Sequence, residues 1–442
     1  MSITSELFQE LSHMPVYDAH THIGADHLTA RGLDDVLLYH MVISDLYSAG
    51  CPSGSRIPEY RTQDLAHARL EEAIPYVPLV QNTSCMWGVR LILRDLYGID
   101  EPITRDNWRE IDRAIAAKAS PEWAREIFHR AGIVRGCTEL WRGHDGRAND
   151  MFQYSLEWAF FTRCQWGQFD TSLLELEHAW GQEVPGAPLP VTLSPDDLSR
   201  LRPIRTLEDV DAAIAHYVER IPYGKVISAA SHLSTDINYR RVSEDEMAGA
   251  LKRRDRATPA ERDIYANYIF EKHLEAVQSS GHDLLLQFSF GAEPLPYESG
   301  SKLRSESVFE LAQIVARYPG IRFNIFLSSA HQNQALCTLA RELPNLSLSG
   351  YWWHNFFPEI VRRVMSERLD MLSTAKQVGF FSDAYCVDWA YAKAVMVRAQ
   401  LAQVLAQRVQ QGQYDAQTAL EIARQLFQDT PRNLLGMRQW EE

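Results

Sequence analysis

The chain has 442 residues, 45% of them hydrophobic and 23% charged, the ordinary mix of a globular protein long enough to bury a large core. Its 44 Lys and Arg stand against 58 Asp and Glu, and the resulting net charge of −14, with no basic patch to reverse it locally, excludes a phosphate-backbone or anionic-membrane partner. The six cysteines are scattered without a C-x-x-C pair, which speaks against a disulfide framework and against thiolate metal sites.

The opening MSITSELFQE lacks a basic segment followed by an apolar one, and no stretch reaches the roughly eighteen consecutive apolar residues of a membrane span. These features predict a cytoplasmic protein that acts on a small-molecule substrate, without nucleic acid or membrane partners and with a homo-oligomer allowed.

Short β-branched and aromatic runs alternate with helical patterns along the chain, as in a parallel sheet buried on both faces. The runs fall at residues 15–23, 132–138, 189–193, 225–230, 283–290, 321–327, 346–350 and 378–382. Eight such runs predict a TIM (β/α)8 barrel, with a doubly wound sheet as the alternative. Residues 25–130 separate the first two runs by far more than a βα loop. They carry helical patterns at 85–97 and 108–117, so a large helical insertion after the first strand is expected, within one structural domain formed with 1–24 and 131–442. Residues 141–186 are rich in Trp and Phe and read as irregular packing against helices. The charge run 252–262 reads as a solvated face. The tail from 391 to 436 reads as two amphipathic helices, with Asp429-Thr430-Pro431 as a helix start.

The sharpest chemical signal is VYDAHTHIG at 16–24. His20 and His22 are two apart on a predicted strand, so both imidazoles project from one face of the pleat. At the carboxyl end of a barrel strand that face opens on the mouth, and two neutral imidazoles make half of a Zn, Mn or Fe site. Asp383 follows the last apolar run and precedes a helix. When the barrel closes, the last strand lies beside the first. Asp383 can then complete a His–His–Asp site or act as a general base; the competing role is a helix cap. His232, at the end of the fourth run, is the second catalytic candidate. Glu139, His331, Trp352, Trp353, His354 and Tyr385 lie at or beyond strand ends as further ligands or substrate contacts.

Several of these segments together resemble the amidohydrolase superfamily of (β/α) barrels, and within it the uronate isomerases. Asp18-Ala-His-Thr-His-Ile23 is similar to the family's D-x-H-x-H opening, and 85–100 resembles a helix of its insertion. Pro195-Asp196, Ser231-His232, the Tyr351-Trp352-Trp353-His354-Asn355 segment and Ser382-Asp383 resemble further family motifs. The resemblance implies a divalent metal, with Zn ranked first and Mn or Fe as alternatives, held by His20, His22 and Asp383.

The chain departs from the family at four places, the first being Cys137-Thr138-Glu139-Leu140 where the family has Thr-Thr-Asp-Asp. Ser289 stands where the family has a histidine, the arginine that follows soon after is absent, and Tyr385 stands where the Ser382-Asp383 segment would carry another arginine. An arginine fork is the natural clamp for a sugar carboxylate, and Tyr385 does not supply its charge. Hydrolysis by a metal-activated water therefore ranks first. Uronate isomerase-type aldose–ketose isomerisation ranks second, and iron- or manganese-dependent oxygenase chemistry third.

Overall fold

A computed structural model of the chain describes residues 2–52, 61–143, 151–157, 171–182, 194–233, 238–290, 306–352 and 357–437. Eight parallel strands lie in sequence order among them: β1 (Val16–Thr21), β2 (Ile133–Glu139), β3 (Phe152–Glu157), β4 (Val226–Leu233), β5 (Leu285–Phe290), β6 (Arg322–Leu327), β7 (Leu346–Ser349) and β8 (Gln377–Val378). This is the (β/α)8 barrel. Its strands are covered by helices outside and by one another's side chains inside, which is why all six residues of β1 are buried.

The third strand is not where the run at 189–193 suggests. β3 comes from the aromatic-rich stretch read as irregular packing, and Phe152, Tyr154 and Leu156 are all fully buried there. Alternation of apolar and polar residues over Phe152–Glu157 was masked by the density of aromatics around it. The run at 189–193 lies outside the described residues.

Local chemistry sets the element boundaries. The Ser120 hydroxyl accepts from the Trp123 N–H, Pro121 occupies the first turn, and Gly132 ends the helix Pro121–Ala131 at φ +63°, releasing the chain into β2. The 22-residue helix Pro259–Ser280 starts on a capping box between Thr258 and Glu261. The tail forms one long helix, Val387–Gln410, and then Ala416–Arg424, which passes through a π-helical turn, Gln425–Asp429, into Thr430–Leu435. Asp429 makes no capping bond, because helix already precedes it and its carboxylate takes Arg424 instead. The charge run is not wholly solvated either, since Arg254 pairs with buried Glu177.

Between β1 and β2 the described chain is helical, including Leu33–Leu37, His40–Ser48, Ser84–Leu91 and Trp108–Lys118. Buried Asp388 ties this segment to the first turn of the long helix Val387–Gln410, accepting from Ala30 N–H at 2.8 Å and Tyr97 O–H at 2.7 Å. The Val387 N–H adds a bond to the Leu28 carbonyl at 2.8 Å. Inside the barrel a polar belt runs from Ser228 to Gln287 (2.9 Å), then to Asn324 (3.4 Å) and Ser347 (2.9 Å). Each member finds a partner, as fully buried amides and hydroxyls must.

The seam between β8 and β1 is irregular. Beyond Val378 the two are joined by separate contacts, including Ala19 N–H to Phe380 O at 3.4 Å, Asp383 N–H to His20 O at 3.0 Å and His22 N–H to Ala384 O at 2.8 Å. Among the described residues no helix is long and apolar enough to cross a membrane.

Candidate metal centre

His20 is the fifth residue of β1 and His22 lies just past its end, so the two-residue period turns both rings to the barrel mouth. The seam contacts place Asp383 against them. His22 Nε2 is 3.2 Å from Asp383 Oδ1, and His20 Nε2 is 3.9 Å from the same oxygen. One ligand atom from each of the three side chains falls within 4.8 Å of the others. Two imidazole nitrogens and a carboxylate oxygen converging this closely match the donor set of a divalent transition metal, and they could hold one. His20 Nδ1 is buried with no hydrogen-bond partner among the described residues, which leaves its ring held by packing against Phe326 and Phe381, at 4.9 and 5.8 Å between centroids.

The outer shell fixes His22. Glu139, at the end of β2 and 1% exposed, lies 2.5 Å from His22 Nδ1. Accepting the Nδ1–H proton, it leaves Nε2 for an ion, the usual carboxylate–histidine arrangement around bound metals. Arg142, three residues on, donates Nε–H to Glu139 at 2.5 Å, and its NH2 group lies 3.1 Å from His22 Nδ1. Tyr385 stacks on His22 at 5.1 Å, and the Arg142 guanidinium sits 5.7 Å from the centre of the Tyr385 ring. His40 also meets this group, edge-on to Tyr385 at 6.1 Å.

Charge is distributed unevenly in the cluster. Burial, helped by the neighbouring His22, pushes His20 down to about 4. Burial also opposes charge on His22, but the Glu139 charge and the hydrogen bonds to Asp383 and Glu139 outweigh it and raise His22 to about 10. Asp383 pays the same desolvation penalty, yet its bond to His22 and the charges of His22 and Lys393 bring it down to about 2. Glu139 is likewise held far below the usual carboxylate range by His22 and Arg142 against its own burial. Metal-free, the cluster carries its proton on His22, and an ion must displace that proton.

The capping role for Asp383 is not what the structure shows. The helix Val387–Gln410 begins after Cys386 with no side-chain cap, and Asp383 sits at φ +53°, the only described non-glycine residue in the left-handed region, with its carboxylate toward the histidines. Among the other candidates, His232 occupies the β4 position opposite Ser289, one residue before the strand ends. His331 is exposed on the turn Ala330–Gln332 and takes no part in the cluster. Trp352 is buried beyond β7, while Trp353 and His354 lie outside the described residues. Sequence reasoning missed Arg142, Tyr39 and His40. The strand-end position of Glu139 and the three-residue step to Arg142 were the available signal for the first; for the others only the fold brings the insertion to the mouth.

No protein-family model matches the chain, and no curated protein matches it. Its fold is the (β/α)8 barrel seen in solved uronate isomerases. The uronate isomerase of Thermotoga maritima superposes with a TM-score of 0.76 at 14% identity, over 98% of this chain and 97% of that one. The glucuronate isomerase of Caulobacter crescentus gives 0.76 at 16%, over 100% and 95%. The uronate isomerase of Bacillus halodurans gives 0.69 at 18%, over 99% and 97%. The ranking of hydrolysis first is thereby overturned, since these full-length matches are isomerases by description. The ranking rested on a missing cation, and Arg142 brings a cation to the mouth from the end of β2, against the very tyrosine that stands in place of the expected arginine.

Proposed function

We propose that the chain is a divalent-metal-dependent isomerase that interconverts the aldose and ketose forms of a sugar acid. The observation that carries this reading is the juxtaposition of the His20, His22 and Asp383 cluster with the Arg142 guanidinium, which lies 3.1 Å from His22 and beside Tyr385. The likeness of fold to uronate isomerases supports it.

His20, His22 and Asp383 would hold the ion, with Zn, Mn and Fe all compatible with two imidazoles and one carboxylate. Bound there, a divalent ion polarises hydroxyl and carbonyl oxygens of the sugar. Glu139 keeps the His22 ring in one tautomer and orientation. Arg142, pinned by Glu139 through one edge and lying over Tyr385, offers the substrate carboxylate a planar cation whose position is fixed before the substrate arrives. His40 supplies an imidazole outside the ligand cluster, suited to removing a proton from one carbon and returning it to the next. Tyr385 and Trp141, which also faces Arg142 at 4.6 Å, make an aromatic wall on that side.

The test is exchange chemistry. Metal-replete protein incubated in D2O with glucuronate or galacturonate should yield the ketose with deuterium at C1, and recovered aldose with deuterium at C2, by NMR. Arg142→Met should raise KM by about 100-fold, the scale of a lost charge-assisted contact, with a smaller effect on kcat. Absence of exchange with every hexuronate would overturn the reading.

A further inference from the structure

A metal ligand in the left-handed region of backbone space, on a seam with no continuous ladder, needs something to hold it. Ser382 and Asp383 are gripped from two sides. The buried Asp18 carboxylate accepts the Ser382 N–H at 2.7 Å. From the other side, Lys393 on the helix Val387–Gln410 donates to the Ser382 carbonyl at 2.6 Å and the Asp383 carbonyl at 3.3 Å. Its third bond goes to the Tyr39 hydroxyl at 3.2 Å, and Tyr39 in turn donates to the Asp383 carbonyl at 3.0 Å. Lys393 is 2% exposed. An ammonium has three donors, and three acceptors account for all of them, so none is left over for a substrate.

We propose that Lys393 is the positioning residue of the metal centre: it clamps the Ser382 and Asp383 carbonyls so that the Asp383 carboxylate is presented to His20 and His22. This rests on the metal-dependent reading above. The backbone carbonyls are what Lys393 grips, and the side chain they steer is the ligand. The hydrogen bonds of Lys393 go to the two carbonyls that carry the ligand and to Tyr39, so it acts through Asp383. The Tyr39 hydroxyl makes the helical insertion part of the same clamp, which couples docking of that segment to the geometry of the ligand.

The assignment differs in sign from a purely electrostatic role. An ammonium close to the site repels a dication, so if charge were all that mattered, removing it would tighten metal binding. If positioning matters, removing it weakens binding. The experiment measures Zn2+ and Co2+ dissociation constants of the full chain by chelator competition, for the wild type, Lys393→Met and Lys393→Gln. It also records the visible spectrum of the cobalt forms, with near-UV circular dichroism to confirm folding. Lys393→Met should bind about 10–100-fold more weakly, as when outer-shell partners of metal ligands are removed, and its cobalt bands should shift. Lys393→Gln, which keeps one or two donors, should fall between it and the wild type. Should the Met variant fail to fold, the Gln variant carries the same comparison. Unchanged or tighter binding in a folded variant overturns the Lys393 assignment alone, whereas a wild type that binds neither ion overturns the metal reading together with it.

Discussion

Replacing Glu139 by Gln isolates what a buried carboxylate does for a neighbouring histidine. Glu139 is 1% exposed and serves two cations at once, with 2.5 Å contacts to His22 Nδ1 and to Arg142 Nε. The amide has nearly the same volume, so packing is preserved, but it is a weaker acceptor and can present its NH2 group to the ring instead. His22 then loses the partner that fixes its tautomer and aims Nε2 at Asp383. Outer-shell losses of this kind weaken metal affinity by about 10–100-fold, or about 1.4–2.8 kcal/mol. Arg142 also loses its counter-charge; because its side chain is 19% exposed, water takes up part of the difference, and the cost to folding should stay near 1–2 kcal/mol. Chelator competition reads the first quantity and urea unfolding of the metal-free protein the second. Glu139→Asp separates orientation from charge: it keeps the charge but withdraws it by one carbon, about 1.5 Å. Orientation predicts that Asp is also impaired. A Glu139→Gln protein with wild-type metal affinity would refute the reasoning.

Asp383→Asn should abolish stoichiometric metal binding while leaving near-UV circular dichroism unchanged, because Asn tolerates φ +53° as well as Asp does but offers a dication a poor ligand; full metal content by elemental analysis would refute this. A second expectation lies far from the site. His273, fully buried with Nδ1 bonded to the Ile269 carbonyl at 2.9 Å, is pushed down to about 4 by desolvation from an unfolded value near 6.5. The unfolded chain therefore binds the proton first as pH falls. Its contribution is intact above about pH 6.5 and is lost progressively down to pH 4, by up to about 3 kcal/mol. Urea unfolding of the wild type between pH 7 and 4.5 should show this loss, and His273→Leu should reduce the slope; an equal slope in both proteins would remove His273 as its source.

The histidine pair was legible in the sequence because strand side chains repeat every two residues, a rule that holds without knowledge of the rest of the fold. His20 and His22 need only follow the extended period to share a face, and the apolar run at 15–23 predicts that they do, although β1 itself ends at Thr21. Asp383 was legible for a related reason: in a closed barrel the last strand must neighbour the first. The helical character of the long segment after β1 also followed from local periodicity. What the sequence could not show is which distant groups meet. β3 was misplaced because its alternation is set within a field of aromatics, and only pairing with β2 and β4 selects Phe152–Glu157. Arg142 reads as one charge among many until the β2 end is laid against His22 and Tyr385. Tyr39 and Lys393 are 354 residues apart, and their common grip on Asp383 exists only because the insertion docks on the last long helix at the barrel seam. Short-range periodicity determined which side chains face the mouth. Closure of the barrel decided their partners, because the contacts that orient a metal ligand join segments whose proximity no local rule encodes.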